Sequence, residues 1–175
     1  MKAAFDPAAL FLRLHRADVR YVVIGGFAVI AHGAQRSTKD LDICPDPAPE
    51  NLTRLAGLLA DLGARSIGDF EEQEMPSDPT RPEGLAEGGN FRLTTDLGDV
   101  DIMQWIPGLP EDRTYRMLAE GATVGDFDGV PVAVCSLEHL RLMKRTAGRA
   151  VDLEDLSRLD QAHNAPNQDG GELSS

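Results

Sequence analysis

The stretch from Tyr21 to Ile43, YVVIGGFAVIAHGAQRSTKDLDI, constrains the fold more than any other part of the chain. Tyr21-Val22-Val23-Ile24 is an unbroken β-branched and aromatic run, the pattern of a strand buried on both faces. Gly25-Gly26 permits a sharp turn and leaves backbone N–H groups uncovered at the start of a helix. Free amides and the helix dipole both favour an anion there, a phosphate above all. Ala28 to Ala31 forms that short helix and His32-Gly33 ends it, with His32 read as structural rather than ligand-facing. A second strand then carries Asp40 and Asp42. Leu41 separates them, so both carboxylates point to one face while Leu41 and Ile43 point to the core. Carboxylates side by side repel, and a divalent cation relieves the repulsion. A phosphate cradle followed by a carboxylate pair points to a metal-dependent nucleotide site.

The rest of the chain reads as support for this unit. Asp6-Pro7 is an N-cap followed by a proline at the first helical position, opening a helix to about Ala17 with Leu10, Phe11 and Leu14 on its apolar face. Pro45 to Pro49 is a turn-rich connector, and Glu50 to Leu62 is an amphipathic helix stopped by Gly63. Ala64 to Ile67 is a short strand. Residues 68–89 are acidic and rich in Pro and Gly, read either as a lid over the site or as a solvated loop. Phe91 to Thr95 and Asp99 to Trp105 alternate on either side of Asp96-Leu97-Gly98, which makes a hairpin. In it Val100 and Ile102 face the core, leaving Asp99, Asp101 and Met103 on the other face. Pro110 to Glu120 reads as a helix, and Asp128-Gly129 joins a second hairpin, 122–127 with 130–135. Ser136 caps a helix from Leu137 to about Ala147. The last helix, Asp152 to Leu159, is expected to bury Leu153, Leu156 and Leu159, with Asp155 on its solvated face.

The expected architecture is therefore α/β (α+β): a mixed sheet flanked by helices, with further helices at the C-terminal end. A chain of 175 residues fits one domain, here 1–160, followed by a polar, Gly- and Ser-rich tail, 161–175, that is expected to be disordered. Net charge is −12 and the isoelectric point about 4.6, which argues against strong nonspecific nucleic-acid binding. Cys44 and Cys135 are too few for a disulfide framework. No apolar run approaches membrane-spanning length, and a cytoplasmic location is expected.

Gly25-Gly26, thirteen residues, then Asp40-Leu41-Asp42-Ile43 resembles the signature of the DNA polymerase beta-like nucleotidyltransferase superfamily. The wording GGFAVIAHG…RSTKDLDI is most similar to its small bacterial members, the abortive-infection (AbiEii-like) and toxin–antitoxin nucleotidyltransferases. The resemblance spans about Tyr21 to Leu159, although its specific motifs are short. It implies transfer of a nucleoside monophosphate from an NTP to a hydroxyl, with pyrophosphate leaving. It also implies that Asp40 and Asp42 hold two Mg²⁺ ions, while Asp101 binds the catalytic one and assists acceptor deprotonation. Val100-Asp101-Ile102 matches the family's third carboxylate, a lone acid between hydrophobics, with Asp99 the fallback. Gly25 and Gly26 would place amides near the β- and γ-phosphates; Arg36 and Thr38 are candidate triphosphate contacts or plain loop residues. The block Lys144 to Leu156, with its Asp-Leu-x-Asp-Leu element, resembles the toxin group's C-terminal active-site segment. By that match Lys144 neutralises triphosphate charge, and Asp152 orients it or poises the acceptor hydroxyl. Ala150-Val151 stand where that group often has a more basic residue.

Three functions compete. The toxin resemblance implies a tRNA 3′ end as acceptor and a cognate antitoxin as partner. Against it stands the acidity, although Arg141, Lys144, Arg145 and Arg149 form a local cluster of cations in sequence. The same parts would serve an antibiotic nucleotidyltransferase acting on an aminoglycoside or lincosamide, for which an acidic cleft suits a cationic drug. A noncatalytic antitoxin or scaffold module of the same fold is the third. Keeping repelling carboxylates together has no purpose in such a module.

Overall fold

The computed structural model describes residues 3–68 and 77–164. Its elements follow from local sequence chemistry. Asp6 accepts a hydrogen bond from the Ala9 N–H at 3.0 Å and Pro7 occupies the first turn, so α1 starts there and runs Pro7–Arg16. β1 (Tyr21–Ile24) is buried along its whole length, as its apolar run requires. α2 begins on the glycines themselves, Gly25–Ala31, rather than at Ala28, because Gly25 takes the left-handed turn at φ +65° and the chain is helical from there. β2 is Asp40–Pro45 and α3 is Pro49–Asp61.

Beyond α3 come β3 (Arg65–Ser66) and α4 (Pro82–Ala86). The helix α4 corrects the sequence expectation for 68–89. Leu85 is fully buried, and a side chain on Gly84 would collide with the Asp78 backbone, so 78–86 is packed down rather than a free lid. Residues 69–76 of that segment lie outside the described residues. β4 (Asn90–Thr95) and β5 (Gly98–Met103) form the expected hairpin in full register, from Asn90 opposite Met103 to Thr95 opposite Gly98. The expected helix 110–120 is split into a 3-10 turn, Glu111–Arg113, and α5, Thr114–Glu120. β6 (Thr123–Phe127) and β7 (Val130–Val134) pair across Asp128-Gly129, both at positive φ as a tight hairpin turn demands. Ser136 caps α6 (Leu137–Ala147) by accepting from the His139 N–H, and Gly148 ends it at φ +61°.

The last helix, α7, runs Ala150–Asn164, past the Leu159 at which the sequence pattern ends it. His163 in the extra turn bonds the His32 carbonyl at 2.9 Å, while His32 itself is held by the Cys135 carbonyl at 2.7 Å. His32 is thus a structural latch. The tail from 165 onward lies outside the described residues.

Among the described residues the strands form one mixed sheet of seven, in the order β3-β4-β5-β2-β1-β7-β6. The central strand β2 runs antiparallel to β1 and parallel to β5. A parallel neighbour needs a crossover, here the path through α3, β3, α4 and β4. That path carries Asp99 and Asp101 back beside Asp40 and Asp42. The core gathers β1, Leu41 and Ile43 of β2, Val100 and Ile102 of β5, and the inner faces of α1 and α3. Phe11, Phe27 and Phe127 pack edge-on or tilted at 4.9 to 5.9 Å, joining α1, α2 and β6.

One buried polar residue ties these layers. Asn51 of α3 is fully buried; its amide accepts from the Arg20 N–H at 2.7 Å and donates to the Arg20 and Asp46 carbonyls, both at 2.9 Å. Asn51→Leu leaves the Arg20 N–H and the Asp46 carbonyl without these partners, while the Arg20 carbonyl keeps the Asp46 N–H at 3.1 Å. The expected loss is about 2–3 kcal/mol, read as a fall of ~5–10 °C in the thermal unfolding midpoint. An unchanged midpoint would contradict this account of how α3 is fastened to β1.

Candidate active site

The pleat and register of two strands bring the acids together. Asp42 stands opposite Asp101 and Asp40 opposite Asp99 in the parallel β2–β5 ladder, so four carboxylates share one face while Leu41, Ile43, Val100 and Ile102 fill the other. Asp42 and Asp101 are both partly buried. Burial, then the charges of Asp40 and Asp101, push the Asp42 carboxyl up to about 7, against the pull of Lys144 and of the Gly26 N–H that donates to it. Burial and Asp40 push Asp101 up to about 6, while Arg92, at 3.7 Å from its carboxylate, and Arg149 pull it down. Asp101 is therefore coupled directly into the pair. Asp99 is felt by Asp101 from one register step away.

The loop before β2 secures the first acid. The Thr38 hydroxyl bonds both the backbone carbonyl and the side chain of Asp40, each at 3.1 Å. The glycines are demanded by close approach. A side chain on Gly25 would run into the Asp42 carboxylate, quite apart from its positive φ. A Cβ on Gly26 would come within 2.7 Å of the Thr38 hydroxyl and 2.9 Å of the Arg36 guanidinium. Both glycines thus pack against the site's own side chains.

The largest departure from the sequence expectation concerns α7. Its buried face carries Asp152, Asp155 and Leu159, whereas Leu153 is 58% exposed. Asp155, expected in solvent, is fully buried. Its carboxylate meets Lys144 at 2.8 Å, Arg36 at 2.9 Å and Arg158 at 3.4 Å. Asp152 is equally inaccessible, and is held by Lys144 at 3.1 Å and by Arg149 at 2.7 Å. Although burial pushes Asp152 upward, the hydrogen bonds from Arg149 and Lys144 hold it below the ordinary carboxylate range. Helical periodicity of the leucines hid this: apolar and acidic residues repeat at similar spacing on α7, and the basic partners lie on α6 and on the loop before β2.

Lys144, Asp152, Gly25 and Asp42 line one cavity of about 370 Å³, with Arg149 at its rim and Met103, Ile106, Leu140 and Met143 as apolar wall. Pockets of that size take small organic ligands. Arg36 and Thr38 do not line it. Arg36 is directed to Asp155 and Thr38 to Asp40. The cation cluster read from sequence does not assemble as one patch either: Lys144 is buried, Arg141 pairs with Asp160 at 2.8 Å, and Arg145 is exposed. Lys144 and Arg149 are the members that line the cavity. A larger cleft, about 1080 Å³, opens beyond the other end of β2 between α3, α4 and α5, and holds none of Asp40, Asp42, Asp101 or Lys144. Gly25, Asp42, Lys144 and Asp152 line the smaller cavity, whereas Asp40 and Asp101 line neither.

Among the described residues no three acidic, histidine or cysteine side chains converge as a preformed metal cage. The donor chemistry nevertheless fits a hard divalent cation: carboxylates on one face of adjacent strands, of which Asp42 and Asp101 are raised by burial and by their neighbours' charge. No helix among the described residues is long and apolar enough to cross a membrane.

No protein-family model matches the chain, and no curated protein matches it by sequence. Solved structures do match. A Thermotoga maritima protein assigned as a nucleotidyltransferase is 21% identical over 89% of this chain and 94% of its own, with a TM-score of 0.54. The antibiotic-resistance factor ANT(2″)-Ia, solved with adenylyl-2″-tobramycin, is 17% identical over 91% of this chain and 90% of its own, with a TM-score of 0.56. The lincosamide antibiotic adenylyltransferase LnuA, bound to lincomycin, is 17% identical over 92% of this chain and 99% of its own, with a TM-score of 0.58. The chain has the mixed α/β fold of these nucleotidyltransferases.

The crowding of Asp42 has a consequence for stability. Its folded-state value, about 7, lies above that of an ordinary aspartate, so folding disfavours the ionised form. The penalty is absent near pH 4, grows as pH rises through about 7, and is constant above. In metal-free protein, Asp42→Asn should raise the unfolding midpoint by ~4–8 °C at pH 8, corresponding to about 2 kcal/mol, and by nothing measurable at pH 4. A midpoint difference independent of pH would refute the electrostatic reading.

Proposed function

We propose that this protein is a metal-dependent nucleotidyltransferase that moves a nucleoside monophosphate from an NTP to an acceptor hydroxyl. The observation that carries the reading is the mixed charge of the 370 Å³ cavity: Asp42, opposite Asp101 in the sheet and pressed by the charge of Asp40, lines it together with Lys144 and Arg149. A polyphosphate bound with divalent cations needs both signs of charge at close range. The network around α7 sets four basic side chains, Arg36, Lys144, Arg149 and Arg158, against three acids, Asp152, Asp155 and Glu154. The cation in excess suits an anion.

In this reading Asp40, Asp42 and Asp101 would hold up to two Mg²⁺ ions, which when bound supply Lewis-acid stabilisation of charge on the phosphate oxygens. Lys144 and Arg149 bind the triphosphate as a point charge and a planar fork respectively. Asp152 holds both of them and so works through them. Asp101, which titrates near pH 6, is ionised at neutral pH and can take the acceptor hydroxyl's proton. As that O–H bond breaks, the oxygen bonds to the α-phosphorus and the bond from phosphorus to pyrophosphate breaks. Gly25 and Gly26 let the backbone approach Asp42, and Thr38 fixes Asp40.

For the acceptor we favour a small hydroxyl-bearing molecule. A tRNA 3′ end, as in the toxin-type members, needs a basic approach surface, and of the cations that promised one Lys144 is buried and Arg141 and Arg149 are paired with acids, which leaves Arg145 as the exposed member. Net charge is −12, which suits a cationic acceptor better than RNA. Likeness to structures solved with adenylyl-2″-tobramycin and with lincomycin supports the same choice. A cognate antitoxin partner belongs to the tRNA reading.

Incubation with each α-labelled NTP, Mg²⁺, and either total tRNA or a panel of aminoglycosides and lincosamides tests the proposal. Label should pass to a small acceptor, and Asp42→Ala should reduce the rate by ~10³-fold or more. Label on tRNA alone would restore the toxin reading. Near wild-type turnover by Asp42→Ala would end the metal-site assignment.

A further inference from the structure

The buried carboxylate of Asp155 belongs to none of the roles above, yet it touches two parts of the site at once. Its Oδ2 lies 2.8 Å from Lys144 Nζ and 2.9 Å from an Arg36 guanidinium nitrogen, and its own residue is fully buried. From Asp155 two routes lead to Asp42. Lys144 lines the same cavity as Asp42. The Arg36 guanidinium packs directly against Gly26, at 2.9 Å from the point a Cβ would occupy, and the Gly26 N–H donates to the Asp42 carboxylate. A single carboxylate on α7 therefore braces the lysine of one wall and the glycine turn that grips the acid of the other.

We infer that Asp155 and Arg36 are positioning residues: Asp155 holds Arg36 behind Gly26 and Lys144 over the cavity, fixing Asp42 and Lys144 at one separation, and Arg36 is a strut rather than a triphosphate ligand. Arg36 has the geometry for this. Its side chain is 18% exposed and does not line the cavity, and one guanidinium nitrogen, Nη1, stands both 2.9 Å from Asp155 Oδ2, as an ion pair without hydrogen-bond geometry, and 2.9 Å from the point a Gly26 Cβ would occupy. Burying two carboxylates three residues apart on one helix costs stability unless each is paired, and Arg36 is the partner that comes from the loop before β2, far from α6, α7 and the Arg149 connector in sequence. The pair consequently fastens the loop before β2 to the C-terminal helix across more than a hundred residues of sequence.

The functional part of this inference rests on the nucleotidyl-transfer reading, so the test has one readout that needs nucleotide and one that does not. In ligand-free protein, the Gly26 amide resonance in a ¹⁵N–¹H spectrum should move in Arg36→Met and in Asp155→Asn, in the same direction. It should stay put in Glu154→Gln, a change on the solvent side of α7. Affinity for the four NTPs with Mg²⁺ should fall ~10-fold in each of the first two variants, and the double variant should lose little more than either single one. Arg36→Lys, which keeps the charge, should recover part of the loss. Arg36→Met carries the test alone if Asp155→Asn does not accumulate as folded protein. Additive losses near 100-fold in the double variant would make Arg36 an independent phosphate ligand and overturn the inference. An unmoved Gly26 amide would overturn it as well. If wild-type protein binds no NTP, the nucleotidyl-transfer reading fails by itself, and the brace stands or falls on the Gly26 amide.

Discussion

Like charge held together is the constraint on which the rest of this structure depends. The parallel pairing of β2 with β5 sets Asp42 opposite Asp101 and Asp40 opposite Asp99, and burial raises the cost of ionising the central two. Nothing in sheet formation requires this. The hydrophobic alternation of Leu41, Ile43, Val100 and Ile102 would be satisfied by any polar residue on the outward face. The acids are thus retained against stability, and the helices packed over them compensate with cations. Carboxylates raised by burial and by one another thus stand at one end of the sheet, and Asp42 among them lines a cavity that Lys144 and Arg149 also line.

The second half of that arrangement lies in α6 and α7. Lys144 is buried, as lysines seldom are, because Asp152 and Asp155 meet it from the neighbouring helix. The same two acids hold Arg149 at the cavity and Arg36 behind the glycine turn. Cooperative burial of this sort is costly to break at any single member, since each removal leaves an uncompensated charge inside. It also gives the two walls of the cavity a common mechanical reference, so that the distance between the acids of the sheet and the lysine of α6 is not left to a loop.

Close packing explains why the Gly-Gly turn is glycine. At Gly25 the demand is double: a left-handed φ and a carboxylate where a side chain would go. At Gly26 it is the Thr38 hydroxyl and the Arg36 guanidinium that leave no room. Phosphate approach is one reason to place glycines at a helix start, and packing of the site against itself is another. Here the second is the one visible in the coordinates.

Much of this protein was legible in the chain because its informative signals are local. The strand Tyr21–Ile24, the turn, the Asp-x-Asp alternation, the two hairpins with their Gly-containing turns and the Ser136 cap each depend on residues a few positions apart, and each forms as read. What the chain could not disclose is which distant elements meet. Asp155 reads as a solvated residue on α7 because its partners, Lys144 and Arg36, lie on another helix and on a loop more than a hundred residues earlier; Leu153 reads as core for the same reason. Arg36 and Thr38 read either as triphosphate contacts or as loop residues, and packing sets one against Asp155 and the other against Asp40. Backbone preference and alternation determined the strands, the turn and the faces on which the acids stand. Tertiary packing alone decided which charges are buried together, because the energy of burying a charge depends on its partners in space and carries no period in sequence.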